Sequence, residues 1–453
     1  MLTMAELKSA TGGILLQGKD KMKIQGISID SRTLKRGDAF FAIKGRRFDG
    51  HKFIKGAVEK GASALVVSQK ISCPQSLALI RVEDTTAALG DSARYYRRQF
   101  SIPVIAVTGS AGKTTTKEMI ASVLALRFNV LKNIKTENNQ YGVPLTLLKL
   151  NAAHQAAVLE LGTNQPGDIA RLAQIAYPTI GVLTNIGESH LEKLHNPKGV
   201  FHEKISLIRQ MDPYGTIIFN SDDFYLKKIA RMKTGHKKIG YGFDRQADVR
   251  AVGSPPDHKG GLKFRVDQKN FTISSPARHN IYNALSAIGC GRLLGLKDEE
   301  IENALARFSF CEGRQRIEQA GRLKIIDDTY NANPVSFRSA VETLRTFPAK
   351  GRKMIVCADM LELGAQSKAL HEQMGMFIKK VNIDCILATG KYMRYMIKTL
   401  KSSKRNNAYF IPSLEALHRQ LKKLVKPGDV ILIKGSRSMH MERTVEFLKK
   451  NLN

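Results

Sequence analysis

One short stretch, residues 104–116, constrains the fold of this chain more than any other. It reads VIAVTGSAGKTTT: an apolar run typical of a buried strand, a small-residue turn over 109–112, and a helical pattern that begins at Lys113. A strand that enters a glycine turn and then a helix directs backbone N–H groups and the positive end of the helix dipole at one point. Lys113 adds a full charge there, and Thr114 offers a hydroxyl to magnesium. The stretch predicts a site for a nucleotide polyphosphate, although Val107 stands where the common pattern has its first glycine; an ordinary strand-to-helix turn is the alternative.

The composition narrows the class of protein. A chain of 453 residues is too long for one typical hydrophobic core, so two or three domains are expected. No apolar run approaches the roughly 20 residues that cross a bilayer, and the opening residues lack the apolar segment of a signal peptide. The five cysteines are scattered and form no C-x-x-C pair, which argues against structural zinc and a disulfide framework. We therefore expect a cytoplasmic protein, and we expect it to be a monomer.

The formal net charge of +32 is unusually high. The excess of lysine and arginine is spread over the whole chain, whereas a dedicated nucleic-acid module more often concentrates it in a tail or on one helix. A basic surface of this kind favours anionic substrates and binds polyanions without specificity. We therefore expect no specific nucleic-acid partner.

Apolar segments and helical patterns alternate along the chain, which is typical of parallel sheets covered by helices. The sequence thus predicts an α/β fold. Strands are predicted at 27–31, 37–43, 62–67, 104–108, 156–161, 179–183, 216–219, 323–326, 353–357, 384–388 and 429–433. Helices are predicted at 51–60, 86–99, 334–346 and 367–380, and a hairpin or loop insertion at 252–261.

Three candidate functional residues follow the glycine turn in the sequence. Glu160 ends an apolar strand, where open parallel sheets bind ligands and where magnesium finds the carboxylate oxygens it prefers. A solvent-facing strand end explains Glu160 about equally well. His190 comes just past another strand, but a single histidine is more often structural than a ligand. Lys204 lies on an amphipathic helix, and a charged surface side chain is its default interpretation.

Further polar residues suit nucleotide binding. Asn280 and Asn283 are three residues apart and share one face of a predicted helix, and asparagine can match the paired donor and acceptor edge of adenine. Helix capping by Asn280 is the alternative. Arg314 suits phosphate, and the carboxylates within 325–334 suit ribose hydroxyls. The segment 430–437 is a strand that ends in a basic loop, which is either an anion site or a plain surface turn.

Together these motifs resemble the ATP-dependent Mur ligases of bacterial peptidoglycan synthesis, and the resemblance covers essentially the full chain. The family's loop T-G-[ST]-x-G-K-T corresponds to residues 108–114, with the same departure from the general pattern. Its E-[LM]-G strand end is 160–162, and its H-N-x-x-N-A helix begins at 279–284. The family histidine after a T-N-[IV] strand is His190, and the family lysine that is carbamylated falls at Lys204.

The resemblance implies a fold, an activity and substrates. It implies a small α/β N-terminal domain that binds a UDP-sugar over 1–84, and a central P-loop domain with a parallel sheet that binds ATP over 85–319. A C-terminal Rossmann-like domain over 320–453 would bind the incoming dipeptide. Stretches such as 138–145 and 327–334 resemble the branch that adds D-alanyl-D-alanine to UDP-N-acetylmuramoyl-tripeptide, with ADP and phosphate as the other products. The D-N-P-R motif of the branch that adds diaminopimelate or lysine is absent, and the third residue of the tripeptide stays open.

Motif by motif, the resemblance also implies roles for individual residues. The catalytic residues would be Lys113, His190 and Lys204. The ATP-binding residues would be Thr108, Gly109, Ser110, Ala111, Gly112, Lys113, Thr114, Thr115, Asn280, Arg314 and Asp328, with Arg316 as the alternative to Arg314. Two Mg²⁺ ions would be held by Thr114, Glu160, His190 and a carbamylated Lys204. The substrate-binding residues would be Ser31, Arg32, Asn138, Asn139, Asn331 and Asn333.

Two other functions are compatible with parts of this pattern. The chain could be another amide ligase of the same architecture, such as a folylpolyglutamate-type enzyme, although 327–334 and the first domain speak against it. It could also be a nucleic-acid-binding ATPase, whose ATP turnover would be stimulated by DNA or RNA.

Overall fold

Three β-sheets organise the computed structural model, which describes residues 2–45, 48–134, 137–253, 261–402 and 407–451. The sheets contain five, nine and six strands in chain order, and most neighbouring strands run parallel. This arrangement confirms the predicted α/β class with three successive α/β parts. Among the helices of these ranges, none is long and apolar enough to cross a membrane.

The first sheet has the order β1-β5-β4-β3-β2 and is parallel except for β1. Its strands are β1 (Ile14–Gln17), β2 (Ile27–Ser28), β3 (Ala39–Phe41), β4 (Ala64–Val67) and β5 (Ala78–Arg81). The accompanying helices are α1 (Met4–Thr11), α2 (Ile54–Glu59), α3 (Thr85–Arg97) and a 3-10 turn over Gly50–Phe53. The predicted strands and helices of this part are confirmed, with small shifts at their ends.

The second sheet has the order β14-β13-β12-β11-β10-β9-β6-β8-β7. Its strands are β6 (Val104–Thr108), β7 (Val130–Lys132), β8 (Ala156–Glu160), β9 (Ile180–Leu183), β10 (Thr216–Asn220), β11 (Lys237–Gly242), β12 (Val249–Gly253), β13 (Leu262–Val266) and β14 (Lys269–Ile273). Its helices are α4 (Lys113–Leu124), α5 (Gly142–Leu147), α6 (Asp168–Ala176), α7 (Leu191–Leu194), α8 (Pro197–Ile205), α9 (His279–Leu293) and α10 (Asp298–Ala306), with 3-10 turns over Ser206–Gln210 and Leu226–Arg231.

Strand β6 lies between β8 and β9 and is parallel to both, so the three carboxyl ends meet at one edge. The sheet is parallel as far as β12, and β13 and β14 then extend it antiparallel. The predicted hairpin at 252–261 corresponds to the antiparallel pairing of β12 with β13; residues 254–260 of it lie outside the described residues.

The third sheet has the order β15-β16-β20-β17-β18-β19 and is parallel except for β15. Its strands are β15 (Arg316–Ala320), β16 (Leu323–Asp328), β17 (Lys353–Ala358), β18 (Cys385–Thr389), β19 (Ala408–Ile411) and β20 (Val430–Lys434). Its helices are α11 (Pro334–Thr346), α12 (Ser367–Lys379), α13 (Met393–Lys401), α14 (Leu414–Leu424) and α15 (Glu442–Asn451), with 3-10 turns over Gly364–Gln366 and Arg437–Met439. Strand β15 begins a few residues before the boundary expected at 319–320, and that boundary stays a prediction.

Hydrophobic cores continue from one part of the chain into the next. One buried cluster contains Leu191 and Phe201 of the second part together with Phe337 and Met360 of the third. Another joins residues of the first sheet to β6 and β8. The non-directional burial of these apolar side chains stabilises the seams between the parts. Polar loops at the seam between the second and third sheets are thereby brought to one place.

Candidate active site

The turn after β6 is built as an anion cradle. Gly109 and Gly112 have φ angles of +152° and +79°, a region that favours glycine. A Cβ on Gly109 would lie 1.9 Å from the Thr184 hydroxyl oxygen, so no side chain fits there. Helix α4 begins directly behind the turn, and no side chain of the described residues caps its N-terminus. Its first backbone N–H groups and its dipole therefore face an anion site.

Asn185, which follows β9, holds this turn in shape. Its side-chain oxygen accepts a hydrogen bond from the Ala111 N–H at 2.9 Å, and its amide nitrogen donates to the Ala111 carbonyl at 3.0 Å. The Asn185 carbonyl also accepts the Ser110 N–H at 2.9 Å. No separate feature of the sequence indicates this role, because an asparagine after a strand is common in turns.

Lys113, Thr114 and Glu160 converge beside the turn. The Lys113 ammonium donates to the Gly109 carbonyl at 2.9 Å, and burial lowers its pKa. The Thr114 hydroxyl donates to one carboxylate oxygen of Glu160, and Asn138 donates to the other at 2.7 Å. Glu160 is buried at the end of β8. The structure thus brings together the hydroxyl and carboxylate that the sequence proposed for magnesium.

His190 and Lys204 lie near this group. The His190 Nδ1 is 2.7 Å from a carboxylate oxygen of Glu362, and burial lowers the pKa of the imidazole. Lys204, on α8, is fully buried, and its amine has no hydrogen-bond partner in the part of the chain that the structure describes. Burial, with a contribution from the charge of Lys113, holds the pKa of Lys204 well below its ordinary value. The default interpretation of Lys204 as a surface charge is therefore wrong.

The asparagines of α9 form a buried chain of hydrogen bonds. Asn280 donates to the Ser275 hydroxyl at 2.8 Å and accepts from the Asn283 amide at 2.8 Å. Asn283 in turn accepts from the Thr116 hydroxyl of α4 at 3.0 Å. Both asparagines line the cleft described below, and their side chains also tie α9 to α4.

Arg314 and Arg316 have different surroundings. The Arg314 guanidinium lies 3.8 Å from the centre of the Tyr330 ring and lines the cleft. Arg316 instead pairs with Glu318 at 2.9 Å on β15 and is not among the residues that line the cleft. Of the two arginines left open by the sequence, Arg314 is therefore the one within reach of a ligand in this cleft.

Asp328 and Lys434 form a buried ion pair at the carboxyl ends of β16 and β20. The Lys434 ammonium donates to Asp328 at 2.6 Å and to the Asn331 carbonyl at 2.9 Å. The basic loop predicted at 430–437 as either an anion site or a surface turn thus begins with a lysine whose charge is already paired. Asn333 caps α11 and donates across the seam to the Ser110 carbonyl at 3.2 Å.

These residues surround one cleft of about 850 Å³ between the second and third sheets. The site residues predicted from sequence that line it are Ser110, Ala111, Gly112, Lys113, Thr114, Thr115, Asn138, Asn139, Glu160, His190, Asn280, Arg314, Asp328, Asn331 and Asn333. Thr108, Gly109 and Lys204 do not line it.

Ser31 and Arg32 are not part of this cleft. They follow β2 of the first sheet, where the exposed Arg32 side chain pairs with Asp30 at 2.8 Å. That contact lowers the pKa of Asp30 to about 2. Their predicted contact with a sugar nucleotide involves a separate surface of the first part.

The oxygen donors fit magnesium, although they are few. Across the described residues, no group of three or more His, Cys, Asp or Glu side chains is placed to hold a metal. Thr114 and Glu160 supply oxygen atoms, which a hard cation prefers. The orphaned Lys204 amine is the atom that a carbamate would convert into a further oxygen donor. Glu362, outside the residues predicted from sequence, adds a carboxylate to this side of the cleft.

Comparison with known proteins gives matches along the whole chain. The Mur ligase family catalytic domain matches residues 23–107, the Mur ligase middle domain 107–291, and the Mur ligase glutamate ligase domain 313–437. The chain is 33% identical over 430 residues to UDP-N-acetylmuramoyl-tripeptide–D-alanyl-D-alanine ligase of Bacillus subtilis, which covers 94% of this chain and 93% of that protein.

Solved structures agree with this result. The crystal structure of MurF from Acinetobacter baumannii has a TM-score of 0.91 and 31% identity, covering 99% of both chains. MurF ligase from Thermotoga maritima in complex with ADP has a TM-score of 0.85 and 30% identity, covering 96% of this chain and 99% of that one. Since the three domain matches follow one another in the family's order and the likeness extends over nearly the full length, the chain belongs to the Mur ligase family.

Proposed function

We propose that this chain is an ATP-dependent ligase that joins D-alanyl-D-alanine to UDP-N-acetylmuramoyl-tripeptide in peptidoglycan synthesis. The observation that carries the proposal is the cleft itself, in which the phosphate-type turn 109–112 faces polar residues of the third part across the seam. Relatives over nearly the full length bear the name of this activity, and one of the similar structures is an ADP complex.

The reaction has two steps. The terminal carboxylate oxygen of the tripeptide attacks the γ-phosphorus of ATP, which forms an acyl phosphate and releases ADP. The dipeptide's amine then attacks the carbonyl carbon, the C–O bond to phosphate breaks, and phosphate leaves as the amide forms with loss of one proton. Phosphoryl transfer depends mostly on positioning and charge stabilisation. Lys113 and the N–H groups at the start of α4 would supply both to the β- and γ-phosphates.

Mg²⁺ would supply charge neutralisation between phosphate and carboxylate oxygens, with Thr114, Glu160, His190 and a carbamylated Lys204 as its ligands. The environment of Lys204 supports carbamylation, because burial favours the neutral amine that reacts with carbon dioxide. In that reaction the neutral amine nitrogen forms a bond to the carbon of carbon dioxide, one proton is released, and the neutral amine becomes a carbamate anion. The fully buried amine, which has no hydrogen-bond partner among the described residues, supports the same modification.

The remaining site residues would bind the substrates. Asn280, Arg314 and Asp328 would contact the nucleotide, and Asn138 and Asn139 the muramoyl peptide. The other substrate-binding residues would be Ser31 and Arg32 for the UDP end, and Asn331 and Asn333 at the seam. The corresponding domains would be 1–84 for the sugar nucleotide, 85–319 for ATP and 320–453 for the dipeptide.

Phosphate release from the purified protein tests this function. We expect release with ATP and magnesium only when UDP-N-acetylmuramoyl-tripeptide and D-alanyl-D-alanine are both present, together with a pentapeptide product in the mass spectrum. ATP turnover that is stimulated by DNA or RNA and needs neither peptide would favour the nucleic-acid-binding ATPase. Turnover with a folate and glutamate in their place would favour the folylpolyglutamate-type enzyme.

A further inference from the structure

A carboxylate from the third part of the chain reaches the histidine of the second. Glu362 follows β17 and Met360, and one of its carboxylate oxygens lies 2.7 Å from His190 Nδ1. A carboxylate accepts hydrogen bonds, so this contact keeps the proton on Nδ1 and leaves Nε2 as the nitrogen with a free lone pair. Glu362 is 55% exposed, and an ion pair so exposed adds little stability. Its main physical effect is on the orientation of the ring.

The loop that carries Glu362 is fixed to the third part. The Leu361 N–H donates to the Ser436 hydroxyl at 2.8 Å, and the Met360 N–H donates to His371 Nε2 at 3.1 Å. The buried His371 ring also forms a hydrogen bond with the Ser367 carbonyl through Nδ1 at 2.6 Å. It therefore holds both ends of the loop, Met360 and Ser367, in place. Glu362 therefore moves with the third part.

The same loop docks on the segment that begins at His190. The Glu192 N–H donates to the Glu362 carbonyl at 3.2 Å, and the Gln366 amide donates to the His195 carbonyl at 2.8 Å. A Cβ on Gly364 would lie 3.0 Å from the Glu192 Cα, which shows how closely the two backbones approach. The Glu362–His190 contact is thus one of several that hold this seam together.

The backbone conformation at Glu362 independently indicates that its side chain has a role. Its φ is +63°, a left-handed conformation that glycine or asparagine adopts more easily than glutamate. A glutamate in this conformation carries a backbone cost that the docked loop and its side-chain contact offset. The carboxylate contact is the feature that a glycine at this position could not supply.

We propose that Glu362 is a positioning residue, which fixes the tautomer and orientation of the His190 ring and makes both depend on docking of the third part. The proposal rests on the proposed function, in which His190 contacts the reacting groups. When the loop is docked, Nε2 is presented in one orientation; when the loop is released, the ring is free to turn and to exchange tautomers. The part that would hold the incoming dipeptide thereby controls the site that activates the carboxylate. Partners that orient ligating histidines in this way are typically worth about tenfold to 100-fold in metal affinity or activity.

Three variants test this inference. Glu362→Gly removes the carboxylate and relieves the left-handed backbone, and Glu362→Gln keeps an acceptor oxygen. Gln366→Ala is the control: it removes one of the several docking contacts, leaves the loop docked through the others and does not touch His190. Nuclear magnetic resonance of nitrogen-labelled histidine rings, with His190 assigned by a His190→Gln variant, reports the tautomer in the full chain without substrate. Steady-state kinetics then report kcat and the KM for ATP.

We expect the Nδ1–H tautomer for His190 in the wild type and in Gln366→Ala, and a mixture of tautomers in Glu362→Gly. We expect kcat of Glu362→Gly to fall about tenfold or more with little change in the KM for ATP, and Glu362→Gln to recover part of both readouts. An unchanged His190 signal in Glu362→Gly, or an unchanged kcat, would overturn the inference. Because the ring signal is measured without turnover, it tests the positioning role even if the proposed reaction fails.

Discussion

At the scale of single residues, Lys204 is the most informative side chain. Its amine is fully buried and finds no partner within the described ranges, and leaving such a polar group unsatisfied costs about 1–3 kcal/mol. Lys117 provides the contrast within the same part of the chain. It is equally buried, but its amine pairs with Glu118 at 2.7 Å and donates to the Asn133 carbonyl at 2.6 Å. The buried amine of Lys117 has partners, and that of Lys204 has none among the described residues, which supports a chemical role for Lys204.

Replacing Lys204 with alanine should lower kcat by on the order of 100-fold, because under the proposed function the site loses the carbamate beside the reacting oxygens. Added formate or acetate should restore part of the activity by supplying a carboxylate in the vacated space. Measurement of phosphate release with and without these acids checks this. Lys117→Ala is the control, and acids should not rescue it. Wild-type activity of Lys204→Ala without added acid would remove Lys204 from the site.

The roles of single residues could be predicted mainly from the resemblance to the Mur ligase family. The helical periodicity alone predicts that Lys204 is a surface charge. A single sequence does not show that other elements cover this face of its helix. Glu362 was not among the site residues predicted from sequence, because its contact with His190 joins residues far apart in the chain. Such contacts follow from the packing of the second and third parts, which local patterns do not encode.

At the scale of elements, the turn between β6 and α4 depends on the absence of side chains. Gly109→Ala should destabilise the protein by about 2–4 kcal/mol, because the new methyl group meets the Thr184 hydroxyl and the backbone is also strained. Gly167→Ala is the matched control: its φ is +92°, but nothing lies within 4 Å of the added Cβ. That variant should lose only about 1 kcal/mol. Thermal unfolding measures how much stability each variant loses. Equal losses would contradict the prediction that Gly109 has no room for a side chain.

The sequence predicted many of the buried parallel strands and few of the strands at the sheet edges. β6, β8, β17 and β20 are apolar runs buried almost throughout, so their patterns are strong. β1 was not predicted, because its apolar run is only the three residues from Ile14 to Leu16 and its side chains are exposed or half-buried. The antiparallel pairings of β1, β14 and β15 were also not predicted, since strand direction is set by the connections and the neighbours rather than by composition; the hairpin or loop insertion expected at 252–261 covers only the pairing of β12 with β13.

At the scale of the whole molecule, the second and third parts meet through His279. Its Nδ1 lies 2.6 Å from the Ser339 hydroxyl of α11, and burial lowers its pKa from 6.5 to about 4. The Asn333 to Ser110 contact crosses the same seam. A neutral histidine at this point is compatible with close docking, whereas a protonated one would have to be desolvated.

The stability of the protein should therefore fall as the pH falls from about 6.5 to about 4. In that window the unfolded chain binds a proton at this histidine and the folded chain does not, so acid favours unfolding. His279 should contribute about 2 kcal/mol to the free energy of unfolding, a value reduced for the partial exposure of its ring. The thermal midpoint across this pH range, compared with His279→Gln, measures it. The variant should lack this component, and identical pH profiles would contradict it.

The most direct test of the cleft as a carboxylate-activating site is the fate of an oxygen atom. The tripeptide substrate is prepared with heavy oxygen in its terminal carboxylate and turned over with ATP, magnesium and D-alanyl-D-alanine. Attack of that carboxylate on the γ-phosphorus predicts one heavy oxygen in the released phosphate, and no phosphate from a Lys113→Ala variant. Phosphate released without the label, or full activity of Lys113→Ala, would contradict activation through an acyl phosphate at this site.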